Sequence, residues 1–173
     1  MITCLFFDCF GTIFNMDNIS RDEIVDYLSQ IQQKPWQPLK LPDHWLTSLN
    51  THPDVLAGLM KLRGDYCCVA LSNGPVSFMV RLCNSVGIEF DWIVPLEMAK
   101  VYKPNPQAYR VAMEVLGFRP DQCMMVTANE GFGDLEAARE LGMRPMLIRK
   151  QGDPNSPQNL LELANYMSWD ANV

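Results

Sequence analysis

In the stretch CLFFDCFGTIF the carboxylate of Asp8 stands between an apolar run and a Gly-Thr turn. A carboxylate is a weak nucleophile. It becomes useful only when the substrate is held in line and fixed donors meet the charge that develops. The chain carries such groups after four successive apolar runs. Thr12 follows Asp8 closely, and Ser72 and Asn73 follow YCCVAL. Lys103 stands in VYKPNPQAY, and Thr127, Asn129, Glu130 and Asp134 close or follow QCMMVT. Open parallel sheets bind ligands beyond the carboxyl ends of their strands, so these groups can meet there. Thr12, Ser72 and turn N–H groups are suitable donors, and Lys103 would hold Asp8 ionised. Each residue also has a plainer reading. Asp8, Ser72 and Asn73 can be turn formers, Lys103 a solvated lysine, Tyr109 a core residue and Asp134 a helix-start carboxylate.

The elements that must position these groups alternate. ITCLFF, YCCVAL, FDWIV, QCMMVT and PMLI are short apolar runs followed by turn signals and then by helical patterns or the last segment of the chain. Strands buried on both faces and joined by helices predict an α/β fold with a parallel sheet covered on both sides. Pro53 opens one expected helix, with Asp54 in its first turn and Gly64 beyond its last. Asn105 and Pro106 open a second that runs to about Gly117. Gly133, Asp134 and Glu136 begin a third, ended by Gly142. Leu160 to Tyr166 reads as a last packing helix.

Residues 15–45 break the alternation. Ser20-Arg21-Asp22-Glu23 has the capping-box pattern and leads into Ile24, Val25, Leu28 and Ile31 at helical spacing. KPWQPLKLPDHW, with three prolines, reads as an extended return path. The expected organisation is therefore a core of 1–14 and 46–173 with a small helical insertion at 15–45.

With 173 residues, 48% hydrophobic and 20% charged, the chain suits one globular domain. A formal charge of -6 with scattered Lys and Arg opposes nucleic-acid binding. No run approaches the ~20 apolar residues that span a bilayer, and MITCLFFDCF lacks signal-peptide features, so a cytoplasmic protein with no membrane partner is expected. The six cysteines show no C-x-x-C spacing and read as reduced, mostly buried fillers. Cys9, beside Asp8, is the one to watch for oxidation.

FFDCFGTIF, ALSNG, KPNPQAY and GDLEAARELGM, in that order, resemble the four motifs of the haloacid dehalogenase superfamily, whose members hydrolyse C-halogen or phosphoester bonds through an aspartyl intermediate. The resemblance implies a three-layer, Rossmann-like core of strand order 5-4-1-2-3 and makes residues 15–45 a truncated cap. It implies Asp8 as nucleophile, Lys103 as its charge partner, Thr12 as a donor, Ser72 and Asn73 as substrate-orienting groups, and Asn129 and Asp134 as groups that position Lys103 and water. Phe10, Tyr109 and Thr127 are implied to border the substrate.

Two positions bear on the leaving group. Phosphatases of the superfamily carry a second Asp two residues beyond the nucleophile to protonate the departing alcohol; here it is Phe10, similar to the aromatic residue of 2-haloacid dehalogenases, whose halide needs no proton. Phosphatases also supply carboxylates for Mg²⁺ after strand four, where this chain has Ala128. Thr127, Asn129 and Asp134 resemble the dehalogenase pattern with two extra residues. The expectation is a dehalogenase-like hydrolase without a cofactor, acting on a small molecule. The alternatives are a Mg²⁺ phosphatase, with the metal at Asp8, the Phe10 carbonyl, Glu130 and Asp134, and a non-catalytic binding domain of the same fold. The dehalogenase pattern includes a cap arginine that receives the halide. Between Asp22 and Leu62 there is none, which leaves Arg21 as a substitute. A short cap further suggests a larger substrate or a homodimer whose second subunit closes the site.

Overall fold

The computed structural model describes residues 1–33, 37 and 39–170. From β1 (Cys4–Phe7) the chain passes through the Asp8 turn to β2 (Phe14–Asn15). Then come α1 (Arg21–Gln33), α2 (Trp45–Ser48), β3 (Asn50–Thr51) and α3 (Val55–Arg63). Alternation follows: β4 (Cys67–Ala70), α4 (Val76–Val86), β5 (Trp92–Ile93), α5 (Leu96–Ala99), α6 (Pro106–Leu116), β6 (Cys123–Thr127), α7 (Asp134–Leu141), β7 (Arg144–Leu147) and α8 (Leu160–Asp170).

The five-stranded sheet is parallel, in the order β5-β4-β1-β6-β7. Counted over these five strands alone and from the other edge, this is 5-4-1-2-3. The labels differ because two further strands intervene, β2 and β3, an antiparallel ribbon with Phe14 opposite Thr51 and Asn15 opposite Asn50. Such two-residue strands carry no alternation to read. The ribbon brings together the chain entering and leaving the segment that holds α1 and α2.

Register is what assembles the site. Phe7 lies between Ala70 and Val126, so the three central strands end level. The next residues, Asp8, Leu71-Ser72 and Thr127, emerge along one edge. Backbone bonds extend this alignment past the strands, from Asp8 N–H to Val126 O and from Leu71 N–H to Phe7 O, each 2.9 Å. β1 is buried on both faces, as a central parallel strand must be.

The helix signals act as expected. Asn105 caps α6 through Gln107 N–H at 2.9 Å, and Gly117 ends it in the left-handed conformation. Ser20 and Glu23 form the capping box of α1, Ser20 Oγ donating to Glu23 at 2.7 Å. The other Glu23 oxygen accepts from Trp45 Nε1 at 3.1 Å, tying α1 to α2. Much of the predicted return path, at residues 34–36 and 38, lies outside the described residues. All six cysteines are free thiols and five are buried. Among the described residues no helix is long and apolar enough to cross a membrane.

α3 and α8 pack closely because α3 presents a glycine at the crossing. A Cβ on Gly58 would lie 2.3 Å from Leu160 Cβ and 2.8 Å from its backbone carbonyl carbon. Gly58→Ala is therefore expected to destabilise the fold by about 1–3 kcal/mol despite its better helix propensity, read as a lowered urea midpoint with an unchanged slope.

Candidate active site

Asp8 is buried at the end of β1, and donors surround both of its oxygens. Oδ1 accepts from Lys103 Nζ at 2.9 Å. Oδ2 accepts from Asn129 Nδ2 at 2.6 Å, Thr12 Oγ1 at 2.9 Å and, more distantly, Thr127 Oγ1 at 3.4 Å. The turn that presents these groups needs Gly11, whose φ is +85°; a Cβ there would also stand 3.0 Å from Asn129 Oδ1.

Lys103 bridges two carboxylates. Its ammonium lies 2.9 Å from Asp8 and 3.0 Å from Asp134 Oδ2, and Asp134 Oδ1 accepts from Tyr109 OH. Burial works against the ammonium, but the Asp134 and Asp8 carboxylates outweigh it and hold Lys103 charged well above its ordinary range. Burial raises the Asp134 carboxyl above the usual carboxylate range, against the pull of Lys103. Burial, and then Asp134, push the Tyr109 phenol up, so it stays a protonated donor.

Several residues do something other than expected. The Asn73 amide is committed to the Lys103 backbone, donating to its carbonyl at 2.9 Å and accepting its N–H at 2.8 Å; it positions the lysine rather than only facing substrate. Ser72 Oγ accepts from Gly74 N–H at 3.1 Å, the turn-forming role. Asn129 binds Asp8 and the Phe10 carbonyl directly, and has no bond to Lys103. Tyr109 is wholly buried against Asp134 and does not line the cavity. Thr127 accepts Asn129 N–H at 3.0 Å. Cys9 donates its S–H to Phe7 O, and burial, with Asp8 beside it, keeps the thiol protonated.

Glu130 departs furthest from expectation. Its carboxylate pairs with Lys150 at 2.7 Å on the surface, while the Phe10 carbonyl is taken by Asn129 and Asp134 by Tyr109 and Lys103. The Mg²⁺ donor set of the alternative phosphatase reading, Asp8, Phe10, Glu130 and Asp134, is thus not brought together. Among the described residues no three His, Cys, Asp or Glu side chains converge on a metal position. The two carboxylates that do converge share the Lys103 ammonium.

Above Asp8 lies a cavity of about 500 Å³. α1 supplies Ile24, Tyr27, Leu28 and Ile31 to its wall, joined by Met16, Phe10 and Phe132. The short insertion therefore does cover the site. Phe10 is held edge-on by two aromatic rings, with centroids 5.5 Å away for Tyr27 and 5.8 Å for Trp45. The two rings stand on α1 and α2, and neither was singled out in the sequence, where each reads as ordinary core. Lys103 is the only lysine or arginine among the described lining residues, and the exposed Arg21 is not one of them.

Residues 26–142 match the family model for haloacid dehalogenase-like hydrolases. The chain belongs to that family. Over 109 residues it is 29% identical to the (S)-2-haloacid dehalogenase 4A of Burkholderia cepacia, covering 61% of this chain and 46% of that protein. It is 31% identical over 96 residues to the (S)-2-haloacid dehalogenase of Xanthobacter autotrophicus, covering 54% of this chain and 37% of that protein. The chain spans about half the length of the curated relatives it matches. The solved L-2-haloacid dehalogenase of X. autotrophicus superposes with a TM-score of 0.76 at 18% identity, over 98% of this chain and 99% of that one. A HAD phosphatase from Thermococcus onnurineus superposes with a TM-score of 0.72 at 20% identity, over 96% and 98%. These two likenesses establish the fold, and the fold carries both chemistries.

Tyr109→Phe should leave a buried oxygen of Asp134 without its donor, lowering stability by about 1–3 kcal/mol in urea denaturation.

Proposed function

We propose that this chain hydrolyses carbon–halogen bonds, in the manner of a 2-haloacid dehalogenase, with Asp8 as the nucleophile. What carries the reading is the uneven donor set of Asp8 combined with Phe10. Oδ1 has one donor, Lys103, and keeps a lone pair; Oδ2 is held by Asn129 and Thr12, with Thr127 beyond them. Two positions further on, the chain has an aromatic ring packed into other rings and no acid to protonate a leaving alcohol.

On this reading Oδ1 attacks the halogen-bearing carbon, the C–O bond forms as the C–halogen bond breaks, and the halide leaves with the bonding pair. Lys103, 2.9 Å from Oδ1, offsets the charge of the attacking carboxylate. The resulting ester is then attacked at Cγ by water. Charge that develops on Oδ2 falls on Asn129 Nδ2 and Thr12 Oγ1, which act as an oxyanion cradle already in place. Asp134, whose affinity for protons burial increases, accepts the water proton; the departing alkoxide takes one up, and the Asp8 carboxylate is restored. The balance is organohalide plus water giving alcohol, halide and a proton. No step is assigned to a metal. The apolar wall from α1 suits the hydrocarbon part of a small halogenated substrate.

Chloride release from 2-chloropropionate in EDTA, lost by at least about 10³-fold in an Asp8→Asn variant that circular dichroism shows to be folded, is the expected result. Hydrolysis of p-nitrophenyl phosphate that needs added Mg²⁺, with no halide release, would replace this reading with the phosphatase one. No turnover of either class would favour a binding domain.

A further inference from the structure

The turn that presents Asp8 is held by residues that do not line the cavity. Three consecutive carbonyls of the turn each accept a bond from outside it. Gly11 O accepts from the His52 ring at Nε2, 3.3 Å away, and Thr12 O from Arg149 Nε at 3.2 Å. Ile13 O accepts from the His52 backbone N–H at 3.1 Å. Burial, and then Arg149, lower the His52 pKa, so the ring is neutral at pH 7 and the carbonyl opposite Nε2 assigns the proton to that nitrogen.

Arg149 is itself tightly held. Its two terminal nitrogens each lie 2.9 Å from an oxygen of Asp54, in the bidentate fork that gives arginine pairs their directional precision. Asp54 Oδ2 also accepts Leu160 N–H at 2.8 Å, so this carboxylate caps α8 rather than its own helix. The Arg149 N–H donates to Pro157 O at 2.8 Å, and its backbone has φ +63°, a region few side-chain-bearing residues occupy. Such a conformation persists where the surroundings over-determine it, and it is often tied to function. At this residue one guanidinium nitrogen reaches Thr12 while two grip Asp54.

We propose that Arg149, fixed by Asp54, is a positioning residue for Asp8 that acts through Thr12. By holding the Thr12 carbonyl it fixes Thr12 Oγ1, which donates to Asp8 Oδ2 at 2.9 Å and accepts Ala128 N–H at 2.8 Å. The hydroxyl thereby links the ends of β1 and β6, and Arg149 sets where it stands. The kinetic consequence rests on Asp8 being the nucleophile as proposed above; the structural one does not. A plain stability role for the Asp54 pair, stitching α3 and α8 to the core, would predict effects on unfolding alone.

The experiment uses Arg149→Lys, which keeps a positive charge opposite Asp54 but lacks the fork. Because an unpaired buried charge can prevent folding, Asp54→Asn/Arg149→Met, which removes both charges, serves as the second variant. Amide exchange at Ala128 reads the position of Thr12 Oγ1 without any substrate. It should quicken at least about tenfold while Val69 in β4 keeps its protection. In chloride release, kcat should fall about 10- to 100-fold, the scale of a small misplacement of reacting groups, with KM within about threefold. In a Thr12→Val background the Arg149 change should have no further effect on kcat. Unchanged Ala128 exchange in a folded variant, or full additivity with Thr12→Val, would overturn the proposal. If the wild type releases no halide, it is the proposed reaction that fails, and Ala128 exchange still decides the positioning role.

Discussion

The ion triad of Asp8, Lys103 and Asp134 is the constraint around which the rest is arranged. Withdrawing three charges from water is expensive, and the cost is recovered only if every lone pair and proton finds a partner. Here each does. Lys103 divides its ammonium between two carboxylates, Tyr109 takes the other oxygen of Asp134, and Asn129 and Thr12 take the other oxygen of Asp8. The Asn73 amide then clamps the Lys103 backbone from both sides. Much of what resembles a list of catalytic residues is in the first place the set needed to bury this triad. On the proposed reading catalysis and folding draw on the same bonds, since donors fixed by packing need not reorganise when charge develops on Asp8.

Phe10 has two roles at once. Its type removes the acid that an alcohol leaving group would need, and its ring meets Tyr27 and Trp45 edge-on. Aromatic contacts of this kind contribute about 0.5–1.5 kcal/mol beyond area burial. The residue that narrows the chemistry thus also fastens the α1–α2 segment over the cavity. An acid at the same place would lose that anchorage, so on the proposed reading the choice of leaving group and the attachment of the α1–α2 segment are physically coupled.

The fold was largely legible because the signals were local. Apolar runs and cap residues marked β1, β4, β6, α6 and α7 to within a residue or two, and the level strand ends then carried Asp8, Lys103 and Asp134 together. The ribbon of β2 and β3 escaped because its strands are too short to show a period. In the site, residue types were legible but partners were not. Asn73 and Ser72 look alike in ALSNG, yet one binds Lys103 and the other its own turn. Glu130 seemed a ligand by counting, but the loop that carries the two extra residues directs it to Lys150. His52 and Arg149 gave no signal, and Asp54 read only as a helix-start carboxylate, because the bonds of His52 and Arg149 to the Asp8 turn join segments about 40 to 140 residues apart and exist only in the folded chain.

On the proposed reading Asp8 attacks through Oδ1 and is restored by water at Cγ. Turnover of a halogenated substrate in H₂¹⁸O, followed by mass spectrometry of the peptide that contains Asp8, tests it most directly. Asp8 should gain ¹⁸O while a single turnover gives an alcohol carrying ¹⁶O. An unlabelled Asp8 after many turnovers, with ¹⁸O in the alcohol from the first, would mean that water attacks the substrate itself and that no ester forms on Asp8.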